Sequence, residues 1–155
     1  MGQPLKAEAR SQAIMRVPRD KSPGELILDD GQRDFVLFFV PPGEKLARVL
    51  EDAGAFVPVA IGGATRLVAR ATIACITAHR TQAGWPESEL PEERQDAVIK
   101  LRGGTTIKGE LRWVAADGHR RTLDHLNDDN RHLVVYEGDY IHFVAKAAVV
   151  TVQES

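Results

Sequence analysis

The segment 118–130, GHRRTLDHLNDDN, contains acidic and basic side chains, including two histidines, close together in the chain. Asp124 and His125 are adjacent, and His119 lies five residues before Asp124. Carboxylates and imidazoles are the groups that bind metal ions or transfer protons near neutral pH. Neighbouring positions of a helix point in different directions, however, so Asp124 and His125 would not both reach one ion. We therefore expect no metal and no cofactor, and a metal-dependent enzyme built on these three residues is the second alternative.

Nucleophilic catalysis has little support in the sequence. There is no Gly-x-Ser-x-Gly elbow and no phosphate-binding GxxxxGK[ST] loop. The single cysteine, Cys75, lies in the apolar run ATIACIT, which is typical of a small core residue. We predict no catalytic residue, and the sequence leans towards a protein that is not an enzyme.

The same segment also offers a binding surface. Five candidate binding residues lie in this segment and one, Arg112, precedes it; all have polar or charged side chains: Arg112, Arg120, Arg121, Asp124, His125 and Asn127. With Lys146, the three arginines would form a local basic patch for RNA or DNA. The formal net charge of −2 and the pI of about 6.2 do not favour a nucleic-acid partner. The competing interpretation is that Arg121, Asp124 and Asn127 form surface ion pairs and helix caps.

The elements that position these residues come from an internal repeat. The segment AFVPVAIGGATRLVARATIACIT (55–77) aligns without a gap on RHLVVYEGDYIHFVAKAAVVTVQ (131–153), so that matching positions are 76 residues apart. Each copy predicts a hairpin with a type II′ turn, at Gly62-Gly63 and at Gly138-Asp139, because glycine supplies a positive φ. The pairs expected are Pro58 with Leu67 and Ala60 with Thr65, then Val134 with Phe143, Val135 with His142 and Tyr136 with Ile141.

Upstream, each copy reads as strand, strand, short helix, and then three more strands. The first two strands are ELIL (25–28) and DFVLFFV (34–40) in one copy, and AVIKL (97–101) and TTIKGELRWV (105–114) in the other. We predict a mostly β fold (α+β minor): two similar five-stranded small barrels or half-barrels, each with one short helix between its second and third strands. The predicted boundaries are a flexible segment at 1–22, a first β-repeat at 23–78, a linker at 79–96 and a second β-repeat at 97–155.

Several side chains are given a packing role by this alignment. Leu46 and Leu50, like Leu123 and Leu126, should lie on the inward face of their helices. Trp113 aligns with Phe39 and is expected in a core, and Trp85 is expected to anchor the linker rather than to contact a partner. Because a module of this size buries little surface alone, the two copies are expected to pack together.

The run LRGGTTIKGEL (101–111) resembles the first half of an Sm-like motif. The resemblance is carried by glycines and apolar residues at the family's spacing: Gly104, Ile107, Gly109 and Leu111. Sm-like proteins are small, bent, five-stranded barrels that usually form rings and bind RNA, so the resemblance implies that fold and that alternative function. The two glycines would let the second strand bend. A further likeness, to uncharacterised bacterial small-barrel domains, rests on Gly118, Arg121, Asp124, His125, Leu126 and Asn127 and implies no known activity.

These observations favour a non-catalytic binding or scaffolding module built from an internal duplication. The expected partner is another protein or a second copy of the chain, since strand edges invite added strands. A single cysteine and the absence of a long apolar run favour a cytoplasmic protein with no membrane contact.

Overall fold

The computed structural model describes residues 20–155, which form one ten-stranded antiparallel sheet and three short helices. The first half contains β1 (Asp20–Leu28), β2 (Arg33–Val40), α1 (Ala47–Glu51), β3 (Phe56–Ile61), β4 (Ala64–Ala69) and β5 (Ile73–His79). After α2 (Arg80–Ala83), the second half contains β6 (Glu93–Leu101), β7 (Thr106–Trp113), α3 (Thr122–Leu126), β8 (His132–Glu137), β9 (Tyr140–Ala145) and β10 (Val149–Glu154). No helix in this part of the chain is long and apolar enough to cross a membrane.

The strand order is β10-β6-β7-β8-β9-β5-β1-β2-β3-β4. Each half therefore contributes five neighbouring strands, and the two sets meet where β5 pairs with β9. We call this pairing the joint. The free edges of the described sheet are β4 in the first half and β10 in the second.

The sheet corrects the prediction in three respects. It is open rather than closed into barrels, because the ends of the strand order are unpaired among the described residues. β6 begins at Glu93, so its first residues fall in what the sequence suggested was linker, and α2 occupies the beginning of that linker. β1 begins at Asp20, so the end of the predicted flexible segment is strand, and residues 1–19 lie outside the described part of the chain.

The predicted hairpins are confirmed. Pro58 pairs with Leu67 and Ala60 with Thr65, and the second hairpin has its three predicted pairs. The prediction of a type II′ turn is wrong for the first hairpin, where Gly62 and Gly63 both have positive φ, as type I′ requires. In the second hairpin only Gly138 has positive φ, which is compatible with type II′.

Two hydrophobic cores lie on opposite faces of the sheet. Ile76 pairs with Phe143 across the joint and both pack in the first core, whereas Cys75 pairs with Val144 and both pack in the second. Paired residues share a face and successive residues alternate between faces, so the two cores cannot be on the same side. The sheet must curve one way around the first core and the other way around the second. As expected, the two halves pack together.

The strands of the first half show the alternation that this arrangement needs. In β2, Val36, Phe38 and Val40 are buried in the first core, while Phe35 and Leu37, which alternate with them, point outward and are exposed. Apolar residues at inward positions drive the packing, and the register fixes which face they occupy.

Gly109 lies where β7 passes close to β8, and the bend predicted for this strand stays a prediction. A Cβ atom at this position would lie 2.5 Å from the carbonyl oxygen of Tyr136 and 2.8 Å from Cγ1 of Val135. The backbones of β7 and β8 therefore approach each other at a distance that only glycine allows.

Because Phe143 belongs to the second half but packs in the first core, its truncation tests whether the halves unfold as one unit. We expect Phe143→Ala to lower the free energy of unfolding by about 3–5 kcal/mol, while a single transition is retained. Guanidinium unfolding followed by both circular dichroism and tryptophan fluorescence measures this.

Leu67→Ala is the matched control, because Leu67 occupies the equivalent position of β4 and is 65% exposed. We expect it to change the stability of the monomer by no more than about 0.5 kcal/mol. Two separated transitions in the Phe143→Ala variant would contradict the shared-core arrangement.

Candidate binding cleft under residues 84–92

Two of the predicted site residues, Arg112 and His125, line one cleft, and the other four lie outside it. The cleft is covered by residues 84–92, which connect α2 to β6. Its opposite wall is formed by the end of β7, by β8 and by α3. The wall residues are chiefly aromatic or charged: Arg112, Trp113, His125, Asp128 and Tyr136.

The side chain of Asp124 caps the N-terminal end of α3 on its exposed side. The carboxylate of Asp124 accepts hydrogen bonds from the backbone N–H of Arg121 at 3.2 Å and from its guanidinium at 3.2–3.3 Å. The guanidinium hydrogen bond lowers the pKa of Asp124. Asn127 ends the helix, with its N–H bonded to the carbonyl oxygen of Leu123. The cap and ion-pair interpretation of these residues matches this geometry.

His125 faces inward; of the two leucines predicted to do so, Leu126 packs against the second core and Leu123 does not. Leu123 is 56% exposed, whereas Thr122 and His125 are buried. The helix begins at Thr122, and residues three apart share a face, so Thr122 and His125 point together into the protein. The alignment with the first half placed Leu123 inward because it matched residue types without the rotation of the helix.

The His125 imidazole is held by two contacts, a ring stack and a hydrogen bond. It stacks on the indole of Trp113 with ring centroids 4.7 Å apart and planes 3° from parallel. Its Nδ1 lies 3.1 Å from the carboxylate of Asp128, which in turn is 2.6 Å from Nζ of Lys146. Trp113 itself packs in the second core, as predicted. The position of the imidazole is therefore fixed by packing and by charged hydrogen bonds.

The burial of this group sets its charge. Burial lowers the pKa of His125, and the attraction of Asp128 only partly offsets that effect. Burial alone would raise the pKa of Asp128, but hydrogen bonds from Lys146 and Asn130 outweigh it, so this pKa is lowered. At neutral pH the pair is a neutral imidazole beside an ionised carboxylate.

Two polar side-chain atoms of residues that line the cleft have no hydrogen-bond partner among residues 20–155. They are Nε2 of His125 and Nε1 of Trp113, and both are buried. A buried polar atom without a partner costs about 1–3 kcal/mol, so such atoms are uncommon in folded proteins.

The cleft consists of two adjoining cavities of about 410 and 420 Å³. Arg112 and Tyr136 border both, and the guanidinium carbon of Arg112 lies 3.9 Å from the centre of the Tyr136 ring. Burial raises the pKa of Tyr136, and the negative charges of Glu92 and Glu87 add to this. Two carboxylates of the covering segment therefore face the aromatic wall.

Trp85 anchors this covering segment, as predicted. Its ring centroid lies 5.5 Å from that of Phe143, although 41% of the residue is exposed. The anchor places the segment against a residue of the joint, so the roof of the cleft and the joint are in contact.

The basic residues of the predicted patch are each paired with a carboxylate. Arg112 lies 2.6 Å from Glu110, Arg120 3.7 Å from Glu93, and Lys146 2.6 Å from Asp128, in addition to the Arg121–Asp124 pair. A phosphate would have to compete with these carboxylates. Over residues 20–155, no group of three or more His, Cys, Asp or Glu side chains is placed to hold a metal ion. His119 is exposed, and Asp124 and His125 use different partners.

The sequence interpretation missed a polar cluster at the joint. Thr77 Oγ1 lies 2.6 Å from Nδ1 of His142, and Nε2 of His142 lies 2.8 Å from the carboxylate of Glu137. This order of groups resembles a nucleophile, a base and an acid, but Thr77 is in the middle of a strand whose neighbours on both sides pair with it. Its signal in the sequence is weak, because Thr77 and His142 are 65 residues apart. We interpret the cluster as a polar rung that fixes the register of β5 on β9.

No protein-family model, curated protein or solved structure matches the chain. The resemblance to Sm-like proteins therefore rests on the short run 101–111 alone.

The lowered pKa of His125 predicts a loss of stability in acid. Because the folded protein binds this proton less readily than the unfolded chain, the free energy of unfolding should fall as the pH falls below about 6.5, the ordinary pKa of histidine. His132, whose pKa burial also lowers, acts in the same direction. Urea unfolding at pH 7.5 and pH 5.5 measures the total effect.

The share of His125 is isolated by His125→Phe, which keeps an aromatic ring against Trp113 but does not titrate. We expect a smaller difference in stability between the two pH values than in the unmodified protein. His132→Phe removes the other share in the same way. If His125→Phe leaves the pH dependence unchanged, its imidazole is not the buried neutral group inferred from the structure.

Proposed function

We propose that this chain is a non-catalytic scaffolding module, built from two copies of one β-unit, that associates with further copies of itself through its two free sheet edges. The observation that carries the proposal is the joint, which already pairs two such units by their edges. The joint gives the register that a contact between chains would repeat.

The positions of the elements support the duplication. β4 begins at Ala64 and β9 at Tyr140, and β5 begins at Ile73 and β10 at Val149, so both pairs are 76 residues apart. The joint thus pairs the fifth strand of one unit with the fourth strand of the other. The free edges, β4 and β10, are a fourth strand and a fifth strand that lack this pairing among the described residues.

The side chains at the free edges also support it. In the joint, Phe143 of β9 is buried in the core of the other half, and its equivalent in β4, Leu67, is 65% exposed. Ala74 of β5 is buried in the core of the other half, and its equivalent in β10, Val150, is 57% exposed. Large apolar side chains are thus exposed at the two positions whose counterparts are covered by the joint.

The residue pairs expected between two chains follow from the pairs in the joint, because equivalent residues of the two units are 76 positions apart. Ile76 pairs with Phe143 and Cys75 with Val144, so Val152 of one chain would pair with Leu67 of the next, and Thr151 with Val68. The two edges differ, so the contact is head-to-tail. Such a contact adds chains until the assembly closes on itself.

A charge placed at either edge tests the proposal. A lysine at either position opposes the added strand, because its charge would be buried in the core of the neighbouring chain, as the equivalent residues Phe143 and Ala74 are buried in the joint. We expect the unmodified protein to form species larger than a monomer at micromolar concentrations in sedimentation velocity. Leu67→Lys alone and Val150→Lys alone should each be monomeric.

A mixture of these two variants distinguishes a head-to-tail contact from a symmetric one. The Leu67→Lys chain keeps β10 and the Val150→Lys chain keeps β4, so together they should form a dimer and nothing larger. Leu123→Lys is the control, since Leu123 is exposed on α3 away from both edges and its replacement should leave assembly unchanged. An unmodified protein that stays monomeric at high concentration, or variants that assemble normally, would refute the proposal.

A further inference from the structure

A pocket of about 300 Å³ lies between the two halves, at the end of the joint where β5 begins and β9 ends. Its floor is apolar and is shared by the two cores, since Ile73 and Ile76 belong to the first core and Ala148 to the second. Charged residues from both halves complete the lining: Asp29, Arg70, Arg102, Arg131 and Lys146. The pocket is therefore complete within one chain and does not depend on assembly.

The duplication shows how Arg70 differs from Lys146, its equivalent 76 residues later. Lys146 donates to the carboxylate of Asp128 at 2.6 Å, so its charge is neutralised. The equivalent of Asp128 in the first half is Asp52, but this carboxylate is paired with Arg48 at 3.1 Å. Arg70 donates instead to two backbone carbonyl oxygens, at 2.7 and 2.9 Å. Its positive charge is therefore not balanced by the carboxylate that the other half uses.

Arg102 and Arg131 also have no carboxylate partner among residues 20–155. Arg102 donates to the carbonyl oxygen of Ala147, and the exposed side chain of Arg131 has no hydrogen-bond partner in the same part of the chain. A guanidinium group has five N–H groups, so all three arginines of the pocket keep donors for a ligand. The arginines of the predicted basic patch differ from them, because each of those is paired with a carboxylate.

The pocket carries an excess of positive charge. Among the described residues Asp29 is the one carboxylate that lines it, so three unpaired guanidinium charges less one negative charge leave +2. His132 lines the same pocket, and its pKa is lowered first by burial and then by the charges of Arg131 and Arg70. Two guanidinium groups from different halves therefore act on one imidazole of the wall.

The chemistry of a phosphate monoester matches this lining. Such a group carries a charge of about −1.5 to −2 at pH 7, and its oxygens accept paired hydrogen bonds from guanidinium groups. An apolar substituent of the ester would gain free energy by leaving water for the floor at Ile73 and Ala148. No Phe, Tyr or Trp of the described residues lines the pocket, so it lacks the aromatic platform on which the bases of a nucleic acid stack.

We propose that this pocket binds a small phosphate monoester with an apolar substituent. The phosphate lies among Arg70, Arg102 and Arg131, and the substituent contacts the apolar floor. Because these arginines come from both halves, the ligand binds only the folded chain and stabilises the contact between the halves.

Three probes test the proposal on the whole chain: phenyl phosphate, inorganic phosphate, which lacks the ring, and phenol, which lacks the charge. The readout is the pH titration of the His132 ring protons by nuclear magnetic resonance, assigned by their loss in His132→Phe. We expect phenyl phosphate to raise the pKa of His132, because the anion offsets the repulsion from Arg131 and Arg70. Inorganic phosphate should need about a tenfold higher concentration, since it buries no apolar surface. Phenol should leave this pKa unchanged.

Arg131→Gln removes one guanidinium group from an exposed position, and it should weaken the binding of phenyl phosphate about tenfold. Arg120→Gln is the matched control, because it removes the same charge from a side chain that is 80% exposed and does not line the pocket. It should change the affinity by less than about twofold.

Equal weakening in the two variants would overturn the proposal, because the protein would then respond to net charge alone. Equal affinities for phenyl phosphate and inorganic phosphate would also overturn it, as would a pKa of His132 that does not move. A single-stranded oligonucleotide that displaces phenyl phosphate at a lower concentration than inorganic phosphate does would assign the arginines to a nucleic acid instead.

Discussion

The pairing of β5 with β9 is the interaction on which the rest of this structure depends. A strand buried on both faces has to satisfy two cores at once, and the joint does so by sending Ile76 and Phe143 to one side and Cys75 and Val144 to the other. Neither half keeps a complete core without the strand of the other. The polar rung of Thr77, His142 and Glu137 then fixes the register, since a slip by one residue would exchange the two faces.

The proposed assembly and the cleft under residues 84–92 use different parts of this arrangement. Assembly repeats the joint at the outer strands, where the hydrogen-bonding groups of the backbone are available. The cleft lies over β7 and β8 in the interior of the sheet, and its roof is anchored through Trp85 on Phe143, a residue of the joint. The joint is thus part of neither the free edges nor the cleft, but it is the pattern for pairing at the edges and the contact that anchors the segment covering the cleft.

Much of the fold could be predicted from the sequence because its signals are local. Glycine turns and alternating apolar residues fixed both hairpins, including the pairing of Val135 with His142. β6 was predicted too short because its first residues, Glu93 to Asp96, are charged or polar. Its buried residues begin only at Ala97, so the first part of the strand carries no apolar pattern. The presence of two cores on opposite faces was missed, although the unbroken apolar run of β5 is the pattern of a strand buried on both sides.

The candidate site was predicted less well, for physical reasons. For Asp124, a candidate binding residue, the cap was the competing interpretation, and it could be raised from the sequence because capping depends on neighbours in the chain. The burial of His125 depends on its stack with Trp113 and on Lys146, which are brought together only by the sheet. Of the two leucines expected to face inward, Leu126 packs against the second core but Leu123 is exposed, since a helix of five residues is too short for its apolar pattern to fix its rotation.

The reactivity of Cys75 depends on whether the joint is closed or open. Its thiol is completely buried between the two halves, and burial raises its pKa to about 12. A thiol in that state reacts with neither alkylating reagents nor peroxide, because the thiolate is the reactive form. The chain has no other cysteine. Modification of a cysteine thiol would therefore occur only in molecules whose halves had separated, and the rate at which the modified fraction grows would measure how often the joint opens.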